Sequence, residues 1–187
     1  MSALVIALRV VSLLAFAGPM LLLRRGSEAR VHQSGGDRVP VIANLAAVGL
    51  FIPSLFVFSG PLAGLPALML AIVGSLLAIA GAALVSRSRA ALGNAWSLVP
   101  EADVGTELVT TGPYRVVRHP IYLGLALIAT GQALAFGSGP ALAIVLFAMV
   151  PTFAWRARAE ERLLAQVFGA RYDDYRRQTK MIIPYLL

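Results

Sequence analysis

Five long apolar stretches, separated by short polar segments, constrain this chain more than any other feature. They cover residues 2–23, 40–58, 65–85, 121–136 and 140–155. The first three approach the ~20 residues that a membrane-spanning helix needs, and the last two would each reach roughly 24 Å at 1.5 Å per residue. A glycine- and proline-containing turn at residues 137–140 joins those two. The pattern predicts an all-α integral membrane protein with about five transmembrane helices, the last two forming a short helical hairpin, followed by a cytoplasmic C-terminal helix.

The composition supports placement in a bilayer. The 187 residues are 58% hydrophobic and 13% charged, whereas a soluble domain carries about 25% charged residues. We predict a single membrane domain over residues 1–187, with three spans in residues 1–86. Arg24 and Arg25 follow the first apolar stretch and no basic segment precedes it, so we expect an uncleaved anchor. Cleavage near Ala17 is the alternative.

The net charge of +7 has two explanations, nucleic-acid binding and the positive-inside bias of membrane proteins. The distribution of charge separates them. Basic residues cluster in segments 24–38 and 86–120 and in the tail from Arg156, whereas segments 59–64 and 137–139 carry no charge. This alternation predicts an N-terminus outside and a cytoplasmic C-terminus, so that the lipid membrane is the partner and nucleic acid is not.

The residues that commonly bind metals are scarce. The chain has no cysteine, and its two histidines, His32 and His119, are far apart in sequence. Disulfides and thiolate metal sites are therefore excluded, and a zinc site would depend on carboxylates. We expect no metal site.

Three polar clusters follow residue 86, at 92–114, 114–124 and 155–175. Pro120 suits the first position of a helix, which places Arg118 and His119 at a helix N-terminus that favours anions. Arg156 and Glu160, at i and i+4, share a helix face. The simpler interpretation of the three clusters, in order, is a connecting loop, a set of interfacial anchors and a surface ion pair. Because a short hairpin joins the second and third clusters, we expect them to meet.

Together the clusters resemble the isoprenylcysteine carboxyl methyltransferase family, which is related to phospholipid N-methyltransferases. The matching residues are the run from Leu108 through Gly-Pro-Tyr and Arg-His-Pro-Ile-Tyr to Gly124, then Arg156, Glu160-Glu161, Phe168-Gly169, Tyr172, Tyr175 and Pro184. The resemblance implies that residues 87–187 form a catalytic, cofactor-binding half. Near Val99, where some relatives have a polar cofactor contact, this chain is apolar.

The resemblance also implies roles for individual residues. Arg156 would face the methyl acceptor as the catalytic residue. The cofactor, S-adenosyl-L-methionine, would be bound by Thr106, Glu107, Leu108, Val109, Tyr114, His119, Pro120, Ile121, Tyr122 and Glu160. The chemistry of the residues agrees, because arginine (Arg118 here) and a helix N-terminus suit the cofactor carboxylate and tyrosine faces suit its sulfonium.

The sequence therefore predicts a membrane-embedded methyltransferase that acts on a lipophilic or lipidated substrate from the bilayer, with a carboxylate favoured. The sequence does not distinguish among four candidate methyl acceptors, which are a prenylated cysteine, an isoprenoid acid, a phospholipid amine and a small thiol. An amine acceptor would benefit from a base, for which His119 or a glutamate is the candidate. The two alternatives are an NADPH-dependent membrane reductase and a non-enzymatic membrane scaffold.

Overall fold

The computed structural model describes residues 3–24, 39–59, 64–93 and 108–183. Within these ranges the chain is helical, and its one β-type contact is an isolated bridge between Val117 and Lys180. We number the helices α1 (Ala3–Arg24), α2 (Val39–Val57), α3 (Gly64–Leu92), α4 (Pro120–Phe136), α5 (Gly139–Phe168) and α6 (Ala170–Gln178). A 3-10 turn, Gly112–Arg115, precedes α4.

The first five helices contain the apolar stretches that the sequence predicted. Among the described residues, α2, α3 and α5 are long and apolar enough to cross a membrane, while Ala3–Pro19 and Pro120–Phe136 are shorter apolar helices. Many of their large apolar side chains are exposed, including Leu45 and Leu50 on α2 and Phe147 on α5. Such surfaces suit lipid contact, and the prediction of an all-α membrane protein is confirmed.

Helices α3 and α4 pack at the centre through glycines. A Cβ atom on Gly74 would lie 2.4 Å from the carbonyl oxygen of Gly131, and one on Gly81 would lie 2.5 Å from that of Gly124. Because a side chain has no room at these points, the two backbones touch directly. This is the close approach that small residues permit between membrane helices.

The predicted hairpin is present, but its second arm is longer than predicted. Gly137 ends α4 in the left-handed conformation (φ 63°), and Ser138 caps α5 by accepting a hydrogen bond from the Ala141 N–H. The second arm does not stop at residue 155 but continues as one helix to Phe168. The apolar residues end at Trp155, but the helix continues for another three turns of more polar sequence. Hydrophobicity therefore predicted only the part of the helix that can lie in the membrane.

A π-helical segment, Val145–Met149, interrupts α5. Pro151 follows it and has no N–H to donate, and its ring would clash with the carbonyl four residues earlier in a regular α-helix. The wider turn, in which the Val150 N–H donates to the Val145 carbonyl, absorbs that clash. Gly169 (φ 53°) then separates α5 from α6.

Candidate active site

The entry to α4 is held by the end of the chain. The backbone N–H groups of Arg118 and His119 donate to the carbonyl oxygens of Lys180 (2.8 Å) and Met181 (2.9 Å). Pro120 takes the first helical position, as predicted, and is fully buried. The segment after α6 therefore fixes the residues that precede α4 in the fold.

Arg118 lies at the centre of a buried polar network. Its Nε donates to Glu161 Oε1 at 2.6 Å, and both side chains are less than 10% exposed. Its Nη1 donates to the carbonyl oxygens of Arg176 (3.2 Å) and Thr179 at the end of α6. The guanidinium thus ties α5, α6 and the entry to α4 together.

A second group forms where α4 meets α5. The Tyr122 hydroxyl donates to Glu160 Oε1, and Arg156 Nη2 lies 3.8 Å from the same oxygen. The Arg156 guanidinium carbon is 5.5 Å from the centre of the Tyr122 ring. His119 Nδ1 lies 3.4 Å from Glu160 Oε2, and its Nε2 lies 3.5 Å from Glu161 Oε1. The second and third sequence clusters therefore meet, as predicted.

Three aromatic rings stack at this junction. The His119 and Tyr122 rings are 5.6 Å apart and inclined by 13°, and the Tyr122 and Phe153 rings are 5.4 Å apart and inclined by 8°. Stacking in this range adds about 1 kcal/mol per aromatic pair beyond burial. The stack fixes the direction in which the Tyr122 hydroxyl points.

The ionisation of His119 follows from its surroundings. Burial alone would lower the pKa of this imidazole, but its contacts with Glu160 and Glu161 outweigh burial and raise the pKa above its ordinary value. Two buried polar atoms at the site, His119 Nε2 and the Tyr172 hydroxyl, have no hydrogen-bond partner among the described residues. Both are available to a bound molecule or water.

Tyrosines close the site from the side of α6. The Tyr175 hydroxyl donates to the Tyr114 carbonyl oxygen at 2.8 Å, and Tyr172 is fully buried. Burial raises the pKa of Tyr114, Tyr172 and Tyr175, with further contributions from neighbouring charges that include Glu160 near Tyr114 and Glu161 near the other two. All three phenols therefore stay protonated and can donate hydrogen bonds.

The remaining predicted site residues differ in placement. Thr106 and Glu107 lie outside the described residues, and Leu108 and Val109 are half-buried at the start of the segment that leads to Tyr114. Ile121 is buried in a cluster with Val85 and Ile128. In the described part of the chain, no three His, Asp or Glu side chains form a group that could hold a metal ion.

Sequence reasoning assigned no role to three residues of the site. Glu161 is bound to Arg118, Phe153 stacks on Tyr122, and the Tyr172 hydroxyl is buried without a hydrogen-bond partner among the described residues. The spacing of Phe153, Arg156 and Glu160 at i, i+3 and i+7 places them on one helix face. That periodicity was the signal that could have identified Phe153.

The chain resembles known proteins along most of its length. A family model described as phospholipid methyltransferase matches residues 69–171. The protein-S-isoprenylcysteine O-methyltransferase of Saccharomyces cerevisiae is 31% identical over 136 residues, which are 72% of this chain and 56% of that protein. Methanethiol S-methyltransferase 2 of Bradyrhizobium diazoefficiens is 40% identical over 77 residues, which are 39% of this chain and 27% of that protein.

A solved structure shares the fold. It is the eukaryotic intramembrane Ras methyltransferase, an isoprenylcysteine carboxyl methyltransferase, with a TM-score of 0.61 and 20% identity over 94% of this chain and 68% of that one. The chain spans about half the length of the curated relatives that it matches. The matched region of the family model, residues 69–171, contains α4, α5, Arg156 and Glu160 and exceeds half of the chain. The chain therefore belongs to the phospholipid methyltransferase family, and its resemblance to isoprenylcysteine carboxyl methyltransferases is confirmed.

Proposed function

We propose that this chain is a membrane-embedded methyltransferase that uses S-adenosyl-L-methionine and acts on a lipophilic acceptor, with a carboxylate such as an isoprenylcysteine-like group favoured. The observation that carries the proposal is the convergence of His119, Tyr122, Arg156 and Glu160 where α4 meets α5. The family membership and the methyltransferase relatives favour this function over the reductase and the scaffold.

The residues present fit the cofactor. A Glu160 carboxylate suits the cofactor's ammonium or hydroxyl groups, and aromatic faces suit its sulfonium. The buried Tyr172 hydroxyl has no hydrogen-bond partner among the described residues, and His119 Nε2 has only a 3.5 Å contact with Glu161 Oε1, so both can donate to a bound molecule. When bound, the cofactor supplies an electrophilic methyl group. Methyl transfer is an in-line displacement, which depends on alignment more than on acid–base chemistry.

Each predicted residue has a role in the proposal. Arg156 holds the acceptor by charge, so that a carboxylate needs no base. Glu160, His119 and Tyr122 bind the cofactor, and Thr106, Glu107, Leu108, Val109, Tyr114, Pro120 and Ile121 complete its site. Arg118, predicted to bind the cofactor, donates from Nε and Nη1 to protein atoms, so its role in the proposal is to hold Glu161 beside His119. In this arrangement residues 87–187 form the catalytic half of a single membrane domain.

The charge alternation supports an orientation as part of the proposal. The N-terminus lies outside and the site faces the cytoplasm, where soluble S-adenosyl-L-methionine is available. Single cysteines introduced near each terminus of this cysteine-free chain test it. In intact cells, a membrane-impermeant maleimide should label the N-terminal cysteine, and labelling of the C-terminal one instead would reverse the orientation.

Calorimetry of the full chain with S-adenosylhomocysteine tests the function. The wild type should bind saturably, and Glu160→Gln should weaken binding at least tenfold, since charge-assisted hydrogen bonds contribute about 1.5–3 kcal/mol. Asp174→Asn is the matched control, because Asp174 is also paired with an arginine on a helix but is mostly exposed. Absence of binding by the wild type would refute the proposal.

A further inference from the structure

The part of α5 where its apolar sequence ends has two faces with different surroundings. Arg156 and Glu160 belong to the candidate site, whereas Trp155, Arg158 and Arg162 are exposed. The three exposed residues occur at i, i+3 and i+7, so they share one helix face. The proposed function uses the first of these faces and assigns no role to the second.

Arg158 and Arg162 bring two positive charges to this exposed face, and the described residues do not neutralise them. Neither arginine forms a hydrogen bond or an ion pair with another residue in the described ranges. The acidic residues between them, Glu160 and Glu161, bind groups of the candidate site instead. Like charges four positions apart on a helix repel each other. An anion from outside the chain would relieve that repulsion.

The two arginines lie at the depth where α5 leaves the bilayer. Helix α5 begins at Gly139, next to the uncharged turn of the hairpin. At 1.5 Å per residue, Arg158 lies roughly 29 Å and Arg162 roughly 35 Å from that start. A hydrocarbon core is ~30 Å thick, and a bilayer with its headgroups is ~40–45 Å thick. Arg158 therefore reaches the edge of the hydrocarbon core, and Arg162 reaches the layer of phosphate groups.

The same face is apolar on the membrane side of the arginines. Trp155 is 40% exposed, and Pro151, one turn earlier, is also exposed. Tryptophan is the side chain typical of the boundary between hydrocarbon and headgroups. A water-soluble anion would contact the guanidinium groups alone, whereas a phospholipid would cover the apolar residues with its acyl chains and the arginines with its phosphate.

We infer that Trp155, Arg158 and Arg162 form a binding site for an anionic phospholipid on the lipid-facing side of α5. Arginine suits the phosphate because its planar guanidinium donates two parallel hydrogen bonds. A zwitterionic lipid brings its own cation and leaves the arginine charges uncompensated, so the site prefers a headgroup with net negative charge. The inference depends on the membrane placement of α5 and not on the proposed function.

Tryptophan quenching in lipid nanodiscs tests the site. The chain has two tryptophans, so Trp96→Phe leaves Trp155 as the only emitter. Phosphatidylglycerol brominated on its acyl chains should quench Trp155 with an apparent affinity at least threefold higher than that of brominated phosphatidylcholine, because arginines near the surface attract anionic lipid. In Arg158→Gln/Arg162→Gln the ratio should fall to about one. Equal affinities of the two lipids with both arginines present would overturn the inference.

A matched double variant separates a site from general attraction to a basic surface. Arg171→Gln/Arg177→Gln removes the same charge from exposed positions of α6 and should keep the preference. Equal loss of preference in both double variants would overturn the inference. So would quenching by phosphatidylglycerol that inorganic phosphate suppresses, which would indicate a site for the free anion.

Two further measurements separate this site from other partners and from the proposed function. In phosphatidylcholine discs, an oligoglutamate peptide should not shift the Trp155 emission. A shift with the peptide and no preference for phosphatidylglycerol would assign the face to an acidic protein and overturn the inference. S-Adenosylhomocysteine affinity should stay within twofold in both double variants, since none of the four arginines belongs to the candidate site. Loss of the lipid preference alone would therefore leave the proposed function standing.

Discussion

The two ends of α4 are both fixed by arginine, but by different chemistry. At the C-terminal end, Arg9 of α1 donates from Nε to the Ala135 carbonyl oxygen (3.0 Å) and from Nη2 to that of Phe136 (3.2 Å). At the N-terminal end, Arg118 meets a carboxylate as well as carbonyl groups. No acidic residue occurs in α1 to α4.

This difference between the two ends of α4 separates polar groups that stabilise the fold from polar groups that the fold does not require. Arg9 satisfies carbonyl groups that a helix end leaves free, and its charge suits the negative end of the helix dipole. The N-terminal end holds Arg118, His119, Glu160 and Glu161, and His119 Nε2 there has no hydrogen-bond partner among the described residues. Folding alone does not require so many buried charges, since each is costly to desolvate.

The largest expected effect is at Arg118. Arg118→Met leaves Glu161 buried without its main partner and should lower the free energy of unfolding by about 3 kcal/mol. Denaturant unfolding of the purified chain in detergent measures it. The double variant Arg118→Met/Glu161→Gln should recover part of the loss, and a loss in the single variant below about 1 kcal/mol would show that the pair contributes little.

The next effect is at the other end of α4. Arg9→Met removes two hydrogen bonds from a charged donor and should cost about 2 kcal/mol of unfolding free energy. S-Adenosylhomocysteine affinity should stay within twofold of the wild type, because Arg9 is at the opposite end of the helix from the site. Arg87→Met, on the exposed side of α3, is the control. Weaker cofactor binding in Arg9→Met would show that the two ends are coupled.

A smaller effect concerns pH and His119. The pKa of this group is raised in the fold by Glu160 and Glu161 against the opposing effect of burial, so its protonated form stabilises the folded state. That stabilisation is fully present below about pH 6.5, the ordinary histidine value, and is lost as the pH rises through the folded-state pKa. The melting temperature should fall over that interval in wild type and not in His119→Gln. Parallel profiles for both proteins would contradict this assignment.

The smallest effect is at the surface of α6. Asp174 and Arg177 form an ion pair whose side chains are 61% and 72% exposed. Exposed pairs contribute little because water and salt screen them. Asp174→Asn should change the free energy of unfolding by less than about 0.5 kcal/mol and should not change ligand binding. A larger change in the free energy of unfolding would mean that exposed and buried ion pairs contribute more similar amounts to stability than we expect.

The sequence predicted the parts of this molecule that depend on local pattern. The lengths of the apolar stretches predicted the five apolar helices. Gly137 and Pro140 predicted the turn of the hairpin, and Pro120 predicted the start of α4. The i, i+4 relation of Arg156 and Glu160 was enough to predict a shared face. These features are set by neighbouring residues along one helix, which hydrophobicity and spacing report directly.

What the sequence missed depends on contacts between distant segments. Glu160 and Glu161 are adjacent and chemically identical, yet one contacts Tyr122 and the other Arg118, because successive helical positions point about 100° apart. The hydrogen bonds from Arg118 and His119 to Lys180 and Met181 join residues some sixty positions apart. The packing of Ile121 with Ile128 and with Val85 of α3 was likewise not predicted, because it joins two different helices.

The glycine contacts between α3 and α4 have a consequence for how an acceptor enters. With Gly74 against Gly131 and Gly81 against Gly124, the two backbones are in direct contact and no side chain separates them. An acceptor that approaches sideways from the bilayer would therefore not pass between α3 and α4, and its way into the bundle would lie between other helices.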